Sequence, residues 1–132
     1  MLIKQISVFI ENKAGKVSKI IDLLGENNID ISALSIADAA DFGILRLIVD
    51  DVEKASKVLT AHDYLVKTTS VISIGIENKP GGLVKILNTF KENDIAIEYM
   101  YAFVNKDNNA VTIIRADNTK LAMEKLAQAG IE

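Results

Sequence analysis

The sequence predicts an α+β protein made of two βαββαβ units that lie side by side, form one continuous antiparallel sheet and carry their helices on one face. The first observation is an internal repeat, in which residues 6–31 recur as residues 72–97 with 13 identities in 26 positions at an offset of 66. The second is that each copy starts with apolar residues at alternate positions and continues with apolar residues at helical spacing. We therefore expect two small domains of one design, at residues 1–69 and 70–132.

The first strand and the first helix of each unit follow from apolar periodicity. Ile6, Val8 and Ile10 alternate with other residues, and positions 72, 74 and 76 repeat the pattern, which is typical of a strand with one buried face. Apolar residues at positions 17, 20, 21 and 24, and again at 83, 86, 87 and 90, have the spacing of an amphipathic helix. Each unit therefore begins with a strand followed by a helix.

The remainder of each unit is a predicted hairpin, a second helix and a closing strand. Strand-like runs at 29–37 and 43–49 precede a helix at 52–61, and the second copy repeats them at 95–104, 110–116 and 119–129. Residues 64–69 supply the closing strand of the first unit and run into the next unit without Pro or Gly. The closing strand of the second unit is expected to be short or missing, which leaves a strand edge in need of cover.

Composition excludes several classes of function. The net charge of -3 and the pI near 5.2 argue against nucleic acid or an anionic membrane as the partner. The chain has no cysteine and a single histidine, His62, which removes thiolate chemistry and most metal sites. The apolar runs are too short for a secretory signal or a membrane span, which predicts a cytoplasmic protein. We expect no catalytic residues, no metal and no cofactor, because no nucleophile with a base and no phosphate loop stands out.

The polar turn between the first strand and the first helix is the best conserved part of the repeat. It reads Glu-Asn-Lys-Ala-Gly at 11–15 and Glu-Asn-Lys-Pro-Gly-Gly at 77–82. The N–H groups at a helix start favour an anion such as a carboxylate, and two glycines let a ligand approach the backbone. Asn78 can both donate and accept hydrogen bonds. Asn, Pro and Gly are also ordinary residues of helix starts, so the spacing alone leaves a purely structural role open.

The segment 76–83, Ile-Glu-Asn-Lys-Pro-Gly-Gly-Leu, set in two tandem βαββαβ units, resembles the signature of the ACT domain family. The resemblance covers nearly the whole chain and implies a ferredoxin-like fold for each unit. It also implies that a free amino acid is bound by this turn and the start of the second strand, at the seam between two ACT units. The residues implied by position are Asn12, Lys13, Ala14, Gly15 and Asp30, with Asn78, Lys79, Pro80, Gly81, Gly82, Leu83 and Ala96.

The two implied sites are unequal. The family often has an Asn where Asp30 and Ala96 stand, and of these two side chains only that of Asp30 can meet an ammonium group. In the first turn Ala14 replaces the usual Pro, and Lys16 replaces the small residue that follows the glycine. We therefore expect the second turn to be the better ligand site.

The residues favour a regulatory protein that binds an amino acid, catalyses nothing and acts on a separate enzyme in trans. The alternative is a protein-interaction or oligomerisation module whose ligand site has degraded. The sheet face left bare by the helices is expected to be mostly apolar around Arg46 and Arg115, and this face or a sheet edge predicts a homodimer. A thermal-shift series with the twenty amino acids separates the two hypotheses, because an interaction module with a degraded site predicts no change in the unfolding temperature.

Overall fold

The computed structural model describes residues 1–39 and 41–131. The strands form one sheet in the order β2-β3-β1-β4-β6-β5, and the pairs β1–β3, β2–β3, β4–β6 and β5–β6 are antiparallel. The predicted α+β class, with a repeated unit and one antiparallel sheet, is confirmed. In chain order the elements are β1 (Leu2–Glu11), α1 (Lys16–Glu26), β2 (Ile31–Ala39), β3 (Phe42–Val49), α2 (Val52–Ala61), β4 (Leu65–Ile76), α3 (Val84–Glu92), β5 (Ile97–Val104), β6 (Ala110–Ala116) and α4 (Thr119–Gln128).

The chain folds into two compact units. The first unit is Lys4–Thr69, and the second unit consists of Met1–Ile3 together with the chain from Ser70 onward. Strands β1 and β4 therefore each supply residues to both units: β1 gives its first residues to the second unit, and β4 gives positions 65–69 to the first. The absence of Pro and Gly at the junction is consistent with this, because β4 continues through it as one strand.

The core of the first unit lies between the sheet and its two helices. In the β1–β3 pair Ile6 lies opposite Leu47 and Val8 opposite Leu45, so alternate residues of both strands point to one face. Both helices contribute to the cluster formed on that face, which shows that they cover a single side of the sheet in this unit. The buried cluster is Ile6, Val8, Ile10, Ile20, Leu24, Ile29, Leu45, Leu47, Val49, Ala55 and Leu59.

The core of the second unit repeats this arrangement. Ile72 lies opposite Ile114 in the β4–β6 pair, and both are fully buried. Ile131, just after α4, packs against this core in the same way that Tyr64 packs against the core of the first unit. The buried cluster is Ile72, Ile74, Ile86, Phe90, Ile95, Ile114, Ala116, Ala122 and Leu126.

The second unit has no strand after α4 within the described residues. Residues of β1 lie beside β4 instead: the Ser73 N–H donates to the Met1 carbonyl at 2.8 Å, and the Met1 ammonium donates to the Ser73 carbonyl at 3.2 Å. The edge of β4 in this unit is therefore partly covered by Met1–Ile3.

Candidate functional site

The two polar turns have similar backbone hydrogen bonds. In the first turn the Lys13 N–H donates to the Glu11 carbonyl at 2.9 Å and the Lys16 N–H to the Lys13 carbonyl at 3.3 Å. In the second turn Lys79 and Gly82 make the equivalent bonds at 2.9 and 3.0 Å. Gly15 and Gly81 both have positive φ, at 85° and 81°, a conformation that strongly favours glycine. The repeated glycine therefore has a structural cause in both units.

The helices that follow these turns begin without a capping side chain. Asp51 and Asn118 cap α2 and α4 by accepting hydrogen bonds from the N–H groups of the first turn, at 3.1 and 3.0 Å. At α1 and α3 no side chain forms such a bond. The N–H groups at the starts of α1 and α3 are therefore not occupied by a side-chain cap, unlike those of the other two helices.

Each turn carries one ion pair at its start. The Lys79 ammonium lies 2.6 Å from the Glu77 carboxylate, and the Lys13 ammonium lies 2.9 Å from that of Glu11. The hydrogen bond from Lys79, and then its charge, lower the pKa of Glu77, and Glu77 in turn raises the pKa of Lys79. Lys13 lowers the pKa of Glu11 in the same way. The turn lysines are thus already paired with a carboxylate.

The two asparagines of the turns differ in their partners. The Asn12 side-chain amide donates to the Asp38 carboxylate at 3.2 Å, and the Asn12 N–H donates to the Asp41 carbonyl at 3.2 Å. The exposed side chain of Asn78 makes no hydrogen bond with any residue that the structure describes. The second turn therefore offers a side-chain amide donor that its counterpart has already engaged.

The second turn is also the longer of the two. Helix α1 begins at Lys16, whereas the equivalent position in the second unit is Gly82, two residues before α3 begins at Val84. A Cβ at Gly82 would collide with the carbonyl oxygen of Glu77, so this bend requires glycine. Lys16 stands where the first unit continues directly as helix, and this is why the two turns differ in spite of their similar sequences.

A shallow depression lies beside each turn. The depression of the second unit has a volume of about 380 Å³, and its lining includes Gly75, Glu77, Gly82, Lys85 and Ile131. One depression of the first unit has a volume of about 420 Å³, and its lining includes the equivalent positions 9, 10, 11, 16 and 64, of which Phe9 and Tyr64 are aromatic, with Phe42 added. The second depression is therefore bordered by more glycine backbone, and the first by bulkier side chains.

The residues implied at the start of the second strand lie away from the turns of their own units. Asp30 and Ala96 donate their N–H groups to the carboxylates of Asp50 and Asp117, at 3.0 and 3.2 Å. In the first unit, Ile31 pairs with Val49 at one end of the sheet, and the β1 residue Glu11 pairs with Phe42 at the other end. At about 3.3 Å per residue this separates Asp30 from the first turn by about 20 Å. Within a unit, the turn and the strand start are not brought together.

The remaining implied residues fall into two groups. Ala14 and Pro80 are exposed on the turns, whereas Leu83 packs against the core of the second unit and has a structural role. Lys85, which the sequence did not single out as a ligand residue, lines the second depression, and its side-chain ammonium has no ion-pair or hydrogen-bond partner among the described residues. Its repetition as Lys19 and Lys85 was the only signal in the sequence.

Neither the histidine nor the acidic side chains of the described residues form a further candidate site. His62 is the C-cap residue of α2. Its ring Nδ1 lies 2.9 Å from the Val58 carbonyl, to which it donates a hydrogen bond. Within residues 1–39 and 41–131, no three His, Cys, Asp or Glu side chains are grouped so that they can hold a metal ion. None of the helices in this part of the chain has the length and hydrophobicity needed to cross a membrane.

A family model and several solved structures match nearly the whole chain. The family model of an ACT domain pair matches residues 1–131. A Bacteroides thetaiotaomicron protein of known crystal structure is 42% identical, with a TM-score of 0.92, over 100% of this chain and 91% of that one. The regulatory subunits of aspartate kinase from Thermus thermophilus, in its ligand-free form, and Thermus flavus share the fold. They have TM-scores of 0.64 and 0.62 and identities of 16% and 17%, and the matches cover 98% of this chain and 97% and 95% of theirs. Comparison with curated proteins found no match.

Proposed function

Because the chain belongs to the ACT domain family, we propose that it is a regulatory protein that binds a free amino acid and catalyses no reaction of its own. The proposed binding element is the second turn, from Glu77 to Leu83. The observation that carries this choice is the unengaged side chain of Asn78 beside a glycine bend at the uncapped start of α3. The division into domains at 69 and 70 stays a prediction.

The chemistry of the second turn suits a carboxylate. The N–H groups at the start of α3 and the partial positive charge of the helix end attract an anion. Lys85 adds a positive charge that no described carboxylate neutralises, because Lys79 is the lysine paired with Glu77. The Asn78 amide can donate to the carboxylate or accept from an ammonium group. Two or three such bonds, at about 1.5 to 3 kcal/mol each, would give a dissociation constant on the order of micromolar to millimolar after ordering costs.

The first turn is proposed to be the weaker site. A ligand there would have to compete with Asp38 for the Asn12 amide, and it would meet the Lys16 side chain where the second turn presents Gly82. Exchanging one hydrogen bond for another leaves little net gain in free energy. Ligand residues implied at Asp30 and Ala96 stay predictions, since a ligand at either turn would need a different partner within the same unit.

We propose a cytoplasmic protein that regulates a separate enzyme in trans. The described chain consists of the two ACT units, and the regulatory subunits of aspartate kinase from two Thermus species have the same fold. At 16% and 17% identity that likeness concerns the fold, so it does not specify which enzyme is regulated. Association with a target can be detected by retaining partners of a tagged chain in the presence and absence of the bound amino acid.

A second candidate function, self-association, is favoured by strand β2. This strand lies at an edge of the sheet, and Leu34 and Ile36 on one of its faces are 48% and 53% exposed. Between Ile31 and Ala37 the strand carries no charged side chain of the kind that protects edges from pairing. A homodimer through this edge predicts a dimer mass in analytical ultracentrifugation that Ile36→Lys converts to a monomer. A monomeric wild-type chain would contradict it.

A ligand screen followed by a matched pair of variants tests the proposed function. Each of the twenty amino acids is added in a thermal-shift series, because a ligand at 100 times its dissociation constant stabilises the folded chain by about 2.7 kcal/mol. Calorimetric titration of the active amino acid is then repeated with Asn78→Ala and Asn12→Ala. We expect the first variant to weaken binding about 10- to 100-fold and the second to change it little. Failure of every amino acid to shift the transition would favour the self-association module instead.

A further inference from the structure

The fourth-strand position of the second unit is filled by residues from elsewhere in the chain. At the repeat offset of 66, residues 1–3 correspond to residues 67–69, with which β4 closes the first unit. Met1–Ile3 belongs to the second unit, and Met1 and Ser73 exchange two backbone hydrogen bonds, of 2.8 and 3.2 Å. Met1–Ile3 therefore serves the second unit as the start of β4 serves the first.

This strand is held weakly. Met1 is 71% exposed and Leu2 48% exposed, and none of the three residues is part of the described apolar cluster of the second unit. The counterparts 67–69 in the first unit are also outside its apolar cluster, but β4 there starts further back, at Leu65, and Val66 packs against the core. Segments with few buried apolar contacts open at lower free energy than the rest of a domain. The closing strand of the second unit is therefore the easier of the two to release.

We propose that Met1–Ile3 is a detachable closing strand of the second unit, and that its release loosens the second turn while the first turn keeps its structure. From Ile72 to Ile76, β4 is paired with β6 on one side, and the chain then passes directly into Glu77 and the turn. Ser73 lies only four residues before Glu77, so support lost at Ser73 is lost close to the turn. The release of the strand can be tested without a ligand. It would regulate ligand binding only if the second turn is the binding site, and in that respect the inference rests on the proposed function.

Native-state hydrogen exchange on the unmodified chain tests the proposal without a ligand. NMR exchange rates are measured over a series of urea concentrations below the unfolding transition. We expect the Ser73 amide, which donates to Met1, and the Gly82 amide, which donates to Lys79, to open together in one event. That event should have a smaller urea dependence than the exchange of the buried Ile114 in β6, which lies between β4 and β5. Exchange of Ser73 only by global unfolding, or separately from Gly82, would overturn the proposal.

A pair of proline variants isolates the strand. In an antiparallel pair, residues that exchange hydrogen bonds alternate with residues that do not. Because Met1 and Ser73 exchange theirs, the Leu2 N–H is expected to point away from β4 and the Ile3 N–H toward it. Ile3→Pro should therefore accelerate exchange at Ser73 and Gly82 about tenfold, the effect of losing roughly one hydrogen bond, whereas Leu2→Pro should not.

The first turn is the internal control for these variants. The Lys16 amide, which donates to Lys13, should exchange at the same rate in both variants and in the wild type. Acceleration of Lys16 together with Gly82, or equal effects of the two prolines, would contradict a local release. If Ile3→Pro does not fold, the exchange experiment on the unmodified chain still decides. Failure of every amino acid to bind would leave these rates unaffected, so the two proposals fail separately.

Discussion

Replacing Gly82 with alanine should destabilise the second turn selectively. A Cβ at this position would collide with the carbonyl oxygen of Glu77 and would lie 3.3 Å from that of Lys79. Both obstacles are backbone atoms, so no side-chain rotation can relieve the overlap. The turn must move, and its hydrogen bond from the Gly82 N–H to the Lys79 carbonyl at 3.0 Å must lengthen or break.

The expected loss in the free energy of unfolding is about 1 to 3 kcal/mol, which is typical of an extra methyl group that forces backbone shifts. Gly25→Ala in α1 is a matched control. No heavy atom lies within 4 Å of a Cβ built on Gly25, and its φ is negative, so the same change there should stabilise the chain by about 0.5 to 1 kcal/mol.

Urea unfolding followed by circular dichroism measures both effects. Amide NMR spectra of the Gly82→Ala variant should show changes centred on residues 77–84 and few changes in the first turn. A Gly82→Ala variant as stable as the wild type, with unchanged amide shifts at Glu77 and Lys79, would refute the close approach on which the reasoning depends.

Three further predictions concern the ion pair, a helix cap and the core. Glu77 should titrate with a midpoint below the ordinary 4.5, because Lys79 lowers its pKa; its contribution to stability is present above the unfolded pKa and lost as the pH falls through the folded one. In Lys79→Gln the midpoint, followed by carboxyl-carbon NMR, should return to about the ordinary value. An unchanged midpoint would exclude the ion pair. Asn118→Ala should cost about 0.5 to 2 kcal/mol in thermal unfolding, since its side chain caps α4, whereas Asn88→Ala on the exposed side of α3 should not. Ile114→Ala should cost about 2 to 5 kcal/mol in urea unfolding because Ile114 is fully buried, and a smaller loss would show that the site collapses around the cavity.

The elements could be predicted from the sequence because their signals are local. Apolar periodicity placed a helix at 52–61, and the structure has α2 at Val52–Ala61; a strand expected at 110–116 is β6. The internal repeat supports the same elements twice, since two related segments are expected to adopt one fold. Bounds were less accurate next to the turns. The strand expected from 95 begins at Ile97; at Ala96 the N–H donates to the Asp117 carboxylate instead of to a backbone carbonyl.

The parts of the site that escaped prediction depend on contacts between distant residues. Asn12 and Asp38 are 26 positions apart, and only the pairing of the first unit's strands brings them within hydrogen-bond distance. The contact of Met1 with Ser73 spans 72 positions and has no periodic signature. The sequence could therefore locate the polar turns and the glycine positions, whereas the difference between an engaged and an unengaged asparagine required the fold.

The most direct test of the central claim is where an amino acid binds. An amide NMR titration with the amino acid that gives the largest thermal shift maps the contact residue by residue. Binding at the second turn predicts that the largest shifts fall on Asn78, Gly81, Gly82 and Val84, and that they vanish in Asn78→Ala. Shifts that leave residues 77–84 unmoved while changing elsewhere, or that persist unaltered in Asn78→Ala, would contradict it.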